Sequence, residues 1–224
     1  MKSDDKKSII FVNLNQLTTN IISHLSSKQS KIGILIPIKM GETSTSKLKN
    51  DLIKKTEVNL YNLYNQEVSD KKTKNILKEF DIIVCCSQNS ADIENHQRLN
   101  SLSKSLNKEF LSVRMTKTVA EIGPHVIPEK TACFNCFENR IKANIPFWTH
   151  IPTMSSANSS SSVSLEKFRL YFDIIANFTT VEILKLLNKE KSFVTGSVFT
   201  INFSNNSMSI DPVLKVPTCQ VCFG

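Results

Sequence analysis

Four cysteines, arranged as two Cys-x-x-Cys pairs, are the residues whose types and spacing best fit a chemical role. Cys133 and Cys136 form the first pair, Cys219 and Cys222 form the second, and 82 residues lie between the pairs. Each pair can hold two thiolates at two corners of a tetrahedral zinc site, so the two pairs together complete a site with four cysteine ligands. Because four thiolates leave no open coordination position, we expect a Zn2+ ion at this site to be structural.

A redox dithiol has the same Cys-x-x-Cys spacing and remains the alternative for either pair taken alone. The other two cysteines, Cys85 and Cys86, lie in the apolar run from Ile82 to Cys86, which predicts a buried strand where thiols act as small apolar groups. Cysteines kept for metal rather than for disulfides indicate a reducing compartment, so we expect a cytoplasmic protein.

The composition is that of a soluble globular protein. The chain has 224 residues, of which 40% are hydrophobic and 21% charged, and this length can bury a proper core. It contains no apolar run of the roughly 18 residues that cross a bilayer, and the polar start from Met1 to Lys7 does not resemble a signal peptide. We therefore expect no membrane association.

The net charge of +8 comes from 28 basic residues, of which only four are arginine. Nucleic-acid recognition usually relies on arginine, and the lysines are scattered without interleaved aromatic residues. We therefore expect no nucleic-acid partner. A mildly positive surface could still attract an acidic partner or peptide.

The first 36 residues predict a strand, a helix and a second strand. The strand covers Ser8–Val12, the helical pattern runs to about Leu25, and the next strand covers 31–36. Such βαβ units build parallel sheets. In a nucleotide-binding unit the first turn would read G-x-G-x-x-G, but the segment 13–18 contains no glycine. The pattern predicts a Rossmann-like α/β fold with helices on both faces and a degenerate nucleotide loop.

The rest of the chain continues the alternation of helices and strands. We expect helices near 46–56, 70–78, 92–106 and 164–188, strands at 58–63, 80–86, 110–115 and 119–127, and a hairpin of 193–203 with 208–216. Ser164 is the expected N-cap of the long helix, which is apolar on more than one face and so is buried or shared with another subunit. His125, near a turn, fits a structural role better than a catalytic one.

The pattern divides a single domain over residues 1–224 into three parts. Residues 1–144 form the Rossmann-like part with the first cysteine pair, and residues 164–224 form the long helix and a hairpin that delivers the second pair. The serine-rich segment 145–163 between them predicts a flexible crossover, either a solvated linker or a lid or docking loop.

Two stretches carry a resemblance to a known family. The strand at 80–84 followed by Arg98-Leu99-Asn100 resembles the ubiquitin-activating/ThiF family, in which a helix bearing Arg-x-Asn follows a strand. The segments 121–140 and 213–222, which contain the cysteine pairs, are similar to the ThiF-like partner proteins of cyclodehydratases that form thiazoles and oxazoles on peptides. The resemblance covers essentially the whole chain.

The resemblance implies a function without catalysis by this chain. Such proteins partner a YcaO-type enzyme, which uses ATP to convert Cys, Ser or Thr of a ribosomal precursor peptide into azoline rings, in the biosynthesis of bacteriocins, thiopeptides and related antibiotics. The partner presents the peptide and activates the enzyme, and a flavin-dependent dehydrogenase can join the complex. Family members usually carry a leader-binding region before the ThiF-like part, whereas here the first strand begins by Ser8. Leader binding could therefore reside on another polypeptide or on a remodelled surface.

Two other functions remain open on the sequence alone. An ATP-dependent adenylating enzyme of the ThiF kind would need a phosphate loop, a ribose-binding acid and a phosphate-neutralising arginine, and the sequence shows none of the three in place. A zinc-stabilised structural subunit of another assembly is also compatible with the pattern. The sequence leaves the precursor peptide, the product and the oligomeric state open.

Overall fold

The computed structural model describes residues 7–25, 31–36, 58–62, 71–88, 92–116, 118–144 and 165–223, with the backbone alone for 165–168. The helix expected near 46–56, the crossover 145–163 and the Ser164 cap lie outside the described residues. No described helix is long and apolar enough to cross a membrane.

Eight strands and six helices make up the described part of the chain. The strands are β1 (Ile9–Val12), β2 (Ile32–Ile36), β3 (Val58–Asn62), β4 (Ile82–Ser87), β5 (Glu109–Met115), β6 (Val119–Val126), β7 (Ser197–Asn202) and β8 (Ser207–Pro212). The helices are α1 (Gln16–His24), α2 (Lys71–Lys78), α3 (Ile93–Ser105), α4 (Phe134–Asn144), α5 (Leu165–Leu187) and α6 (Gln220–Phe223).

The strands form one mixed sheet in the order β3-β2-β1-β4-β5-β6-β7-β8. The first five strands in this order are parallel, and β6, β7 and β8 continue the sheet antiparallel. The parallel strands β1, β2 and β4 are buried along their whole length, as expected for strands covered on both faces. This arrangement confirms the predicted α/β fold and the predicted βαβ start.

Helices cover both faces of the sheet. On one face, α1 and α5 pack through residues such as Leu17, Ile21 and Ile175. On the other face, α2, α3 and α4 pack through residues such as Leu77 and Leu99. Because α1 and α5 also contact each other, they form a continuous layer over the first face.

The long helix α5 is buried on one side only. Phe172, Ile175, Ala176, Ile183 and Leu186 face the core, as the apolar pattern predicts. A second apolar stripe at helical spacing remains on the surface, where Leu170, Ile174, Phe178 and Val181 are exposed. The helix therefore has more apolar surface than the described part of this chain covers.

Candidate functional site: the four-cysteine cluster and the turn between β1 and α1

The two cysteine pairs lie together, although 82 residues separate them in sequence. The Sγ atom of Cys133 is 3.7 Å from that of Cys136 and 3.6 Å from that of Cys219. The Sγ atoms of Cys136 and Cys222 are 3.5 Å apart, and all four sulfurs lie within 4.8 Å of one another. A tetrahedral Zn–S site with bonds of about 2.3 Å has edges of about 3.8 Å, so these thiols fit such an ion.

Each pair has the same local structure, which explains how the Cys-x-x-Cys spacing turns two thiols toward one point. Cys133 directly precedes α4, and its carbonyl accepts hydrogen bonds from the N–H groups of Cys136 and Phe137. Cys219 directly precedes α6, and its carbonyl accepts from Cys222 and Phe223 in the same way. The first cysteine of each pair thus begins a helical turn, and the second lies within that turn.

The first pair is anchored to α3 by Asn100. The Oδ1 atom of Asn100 accepts a hydrogen bond from the Phe134 N–H at 3.1 Å, and its Nδ2 donates to Oδ1 of Asn135 at 2.9 Å. Asn100 is buried. The Asn of the Arg-x-Asn motif therefore positions the start of α4, whereas Arg98, two residues earlier, is exposed on the other side of α3.

The second pair is held in place by basic side chains that reach backbone carbonyls. Arg140 donates from Nε to the Leu214 carbonyl at 2.8 Å and from Nη2 to the Lys215 carbonyl at 3.2 Å. Lys104 on α3 donates to the Cys222 carbonyl at 2.9 Å. These contacts tie the segment after β8 to α3 and α4. No pattern in the sequence indicates the Lys104 contact.

The environment of the thiols is largely apolar. Burial raises the pKa of Cys133 and Cys222. For Cys136, burial opposes ionisation, but the N–H groups of Val216 and Cys133 lower its pKa, with the Val216 nitrogen lying 3.3 Å from Sγ. Four convergent thiols with few internal partners suit a soft cation. That they bind one stays a prediction.

The other cysteines and His125 behave as expected from the sequence. Cys85 and Cys86 are buried in β4, and burial raises the pKa of Cys86 to about 12. His125 is buried in β6 with both ring nitrogens partnered, Nδ1 to Thr195 Oγ1 and Nε2 to Glu109 Oε2, each at 3.0 Å. These contacts agree with a structural histidine.

The turn between β1 and α1 is where a Rossmann-like fold would bind a phosphate, because the helix N-terminus presents free N–H groups there. Asn13 takes the left-handed conformation that glycine would take, with φ of 78°. Asn15 caps α1, since its Oδ1 accepts from the Thr18 N–H at 2.9 Å, and its Nδ2 donates to the Cys86 carbonyl at 2.9 Å. The turn is therefore built by asparagine side chains.

Gln88, directly after β4, occupies the remaining donors of this helix end. In the amide orientation that satisfies both of its ends, its side-chain oxygen accepts from the N–H groups of Leu17 at 3.1 Å and Gln16 at 3.3 Å. The first three N–H groups of α1 are thus bonded to side chains of the chain itself. A phosphate at this point would have to displace Gln88. The missing glycines are visible in the sequence, whereas the role of Gln88 is not, because Gln88 is 72 residues away from Gln16.

A buried polar network lies beside this end of the sheet. His96 is held between Ser87 Oγ at 3.0 Å and Ser112 Oγ at 2.9 Å. Burial, together with the charge of Arg114, lowers the pKa of His96 to about 3, so its ring is neutral at physiological pH. Arg114 lies 2.6 Å from Glu138 on α4, whose pKa is raised by burial. The network links β4, β5, α3 and α4.

Comparison with known proteins places the chain in a fold family. The model of the ThiF family matches residues 49–221. No curated protein sequence matches the chain. Among solved structures, E. coli MccB with ATP is 16% identical with a TM-score of 0.68, and the match covers 96% of this chain and 66% of that chain.

Two further structures share the fold at low identity. E. coli MccB with MccA-N7isoASN is 14% identical with a TM-score of 0.69, and the match covers 97% of this chain and 67% of MccB. A heterocyclase in complex with substrate and cofactor is 12% identical with a TM-score of 0.55, and the match covers 97% of this chain and 25% of the heterocyclase. This chain therefore spans about two thirds of MccB and a quarter of the heterocyclase.

Proposed function

This chain belongs to the ThiF family, and we propose that it is a non-catalytic subunit of a complex that forms azoline rings on a ribosomal precursor peptide. In this proposal a YcaO-type cyclodehydratase in the cytoplasm uses ATP to close the rings. The ThiF-like chain presents the peptide and activates the enzyme. A flavin-dependent dehydrogenase would act on the azolines afterwards.

The observation that carries the proposal is the closed turn between β1 and α1. A member of this fold that handled ATP would need the N–H groups at the start of α1, yet Asn15 and Gln88 occupy them. With that end closed, binding is the activity that the surface of the chain best supports. The solved structures with a shared fold include MccB with MccA-N7isoASN and a heterocyclase with substrate and cofactor, which is compatible with this role.

The cysteine cluster supports the same role through stability. We propose that Cys133, Cys136, Cys219 and Cys222 hold a structural Zn2+ ion, because their sulfur separations fit the edges of a tetrahedral zinc site. Four thiolates would occupy all positions of such an ion, so it would tie the C-terminal segment to α4 without reacting with substrate.

The exposed apolar surface on α5 and β8 is the proposed contact with the YcaO-type partner. Phe178 on α5 packs against Phe199 of β7 with ring centroids 5.3 Å apart, and Phe199 pairs with Ile210 on the edge strand β8. The exposed α5 stripe therefore continues onto Ile210 and Met208, which are both exposed. Contiguous exposed apolar side chains of this kind are typical of protein interfaces. A stable contact here should bury on the order of 2,000 Å² or more.

Co-expression with a YcaO-type cyclodehydratase and its precursor peptide tests the proposal. We expect the two proteins to elute together in size-exclusion chromatography, and mass spectrometry should show the loss of one water per ring on the peptide. Without this chain, ring formation should fall to near background, and ATP hydrolysis should belong to the partner. If the proteins elute separately and the enzyme modifies its peptide at full rate alone, the proposal is wrong.

An ATP-dependent adenylating enzyme, acting on a carrier protein or a peptide C-terminus, is the second candidate. The observation in its favour is the shared fold with MccB, which has been solved with ATP. Exchange of pyrophosphate into ATP by the purified chain, in the presence of a peptide with a free C-terminal carboxylate, would favour the adenylating enzyme, because such an enzyme forms an acyl-adenylate from that carboxylate and reverses the step.

A further inference from the structure

A groove of about 560 Å³ lies between α2 and α3, on the sheet face opposite α1 and α5. Lys74 of α2 lines one side, and Glu94, Gln97 and Arg98 are among the α3 residues on the other. Leu102 contributes an apolar side chain to its lining. The α3 residues in the lining span 94–105, which corresponds to about 16 Å of helix. Such a groove is long enough for a peptide segment of about three helical turns.

Two basic side chains, Lys74 and Arg98, line the groove together with one acidic side chain, Glu94. Lys74 and Arg98 are exposed, and neither has a carboxylate within 4 Å among the residues that the structure describes. Glu94, one turn before Arg98, does not pair with it at that distance. The nearby acidic residues of the segment after α2 are engaged elsewhere, since Glu79 pairs with Lys31 at 3.0 Å and Asp81 accepts from Ser8 Oγ at 2.7 Å.

The lysines of α2 add to the positive potential near this groove. α2 has four lysines in eight residues and no acidic residue. Positive charge concentrated at a concave surface attracts anionic ligands and raises their local concentration. The length of the groove along α3 favours a peptide over a small anion. The chemistry that fits is a short acidic peptide.

We propose that this groove binds an acidic segment of the precursor peptide. The inference rests on the proposed function, because it identifies where this chain would hold the peptide that it presents. The partner surface on α5 and β8 lies on the opposite sheet face, so one chain could hold the peptide and the enzyme at the same time. The inference also gives Arg98 a role of its own. Asn100 anchors the start of α4, whereas Arg98 lines the groove.

Binding of a synthetic peptide to the purified full chain tests the inference directly. The probe is a fluorescein-labelled peptide of about 14 residues composed of Glu and Leu at helical spacing, and its control has Gln in place of every Glu. We expect the acidic peptide to bind and the Gln peptide to bind at least about tenfold more weakly, as measured by fluorescence anisotropy at physiological salt.

Charge reversal in the groove locates the binding. Lys74→Glu with Arg98→Glu should weaken binding of the acidic peptide at least about tenfold, because two attractions become repulsions. The matched control, Arg169→Glu with Lys191→Glu, makes the same change of charge at exposed positions outside the groove and should bind like the wild type. Lys74→Gln with Arg98→Gln should give an intermediate affinity, and circular dichroism should show that each variant is folded.

Several outcomes would overturn the inference. The wild type could fail to bind the acidic peptide, or both charge-reversed pairs could lose affinity equally, which would indicate general attraction to a basic surface. The groove variant could also bind the peptide normally but no longer elute with the YcaO-type partner, and the groove would then be a protein contact. None of these results depends on ring formation, so failure of the groove and failure of the proposed function can be told apart.

Discussion

The turn between β1 and α1 and the four-cysteine cluster are two regions where small ligands bind in related folds or metal sites, and they differ in how their polar groups are used. At the turn, Asn15 and Gln88 satisfy the N–H groups that a phosphate would need. In the cluster, four thiols converge. Among the described residues outside the two pairs, only Val216 directs a backbone N–H at one of these thiols.

The two regions differ in which of their groups remain available to a ligand. Hydrogen-bond donors that the chain satisfies internally are no longer available, because a ligand must first break those bonds. Thiols make weak hydrogen bonds, so their convergence is better explained by a metal than by their bonds to each other. The comparison predicts that the stability of the protein depends on a bound metal and that the protein does not bind ATP.

The largest expected effect follows from removing one cysteine of the cluster. Cys219→Ser should abolish zinc binding and release the C-terminal segment, at a cost on the order of several kcal/mol, since the binding free energy of a structural metal contributes to folding. We expect insoluble or unfolded protein with no zinc by elemental analysis. Cys86→Ala is the control, because Cys86 is buried in β4 outside the cluster, and it should keep one zinc per chain. Well-folded wild-type protein without zinc would contradict the assignment.

A smaller effect is expected at the contacts that hold the second cysteine pair. Arg140→Met removes two hydrogen bonds to the carbonyls of Leu214 and Lys215 while keeping an apolar stem. The variant should lose about 1–3 kcal/mol in the free energy of unfolding and release zinc to a chelator faster than the wild type. Arg169→Met, on the exposed side of α5, should change neither quantity. Equal release rates in all three proteins would mean that Arg140 does not position the cluster.

Acid pH should destabilise the protein through His96. Its folded pKa of about 3 lies below the ordinary 6.5, so the unfolded chain binds this proton first. The His96 contribution is therefore complete above pH 6.5 and is lost progressively as the pH falls toward 3. Urea unfolding between pH 7.5 and 5.5 should show a loss of stability in the wild type that exceeds the loss in His96→Gln, and the difference should approach about 1.4 kcal/mol per pH unit below pH 6.5. Equal slopes in the wild type and in His96→Gln would refute this assignment.

The smallest effect is expected at the turn. Titration of the wild type with Mg-ATP should give no binding in the micromolar range, because the first three N–H groups of α1 are bonded to Asn15 and Gln88. Gln88→Ala should cost no more than about 1 kcal/mol of stability, as for loss of a helix cap, and should still not bind ATP while Asn15 remains. Tight binding of ATP by the wild type in calorimetry would show that the turn is open to a nucleotide and would favour the adenylating alternative.

Much of the architecture was predictable from local patterns. The apolar runs that became β1, β2 and β4 are short and continuous, which is typical of strands buried on both faces, and the helix α5 follows from apolar residues at helical spacing over more than five turns. The absence of glycine at 13–18 predicted the degenerate loop, because that loop depends on residues adjacent in sequence. The spacing of the cysteine pairs likewise predicted which thiols would meet.

The tertiary structure decided what depends on residues distant in sequence. Gln88 caps α1 only because β4 lies beside β1 in the sheet, and Asn100 and Arg98 have separate roles only because α3 packs one side against α4 and leaves the other open. Lys104 reaches the second cysteine pair from a position 118 residues before Cys222. Side-chain contacts of this kind leave no periodicity in the sequence, since each is set by strand order and helix packing rather than by neighbours along the chain.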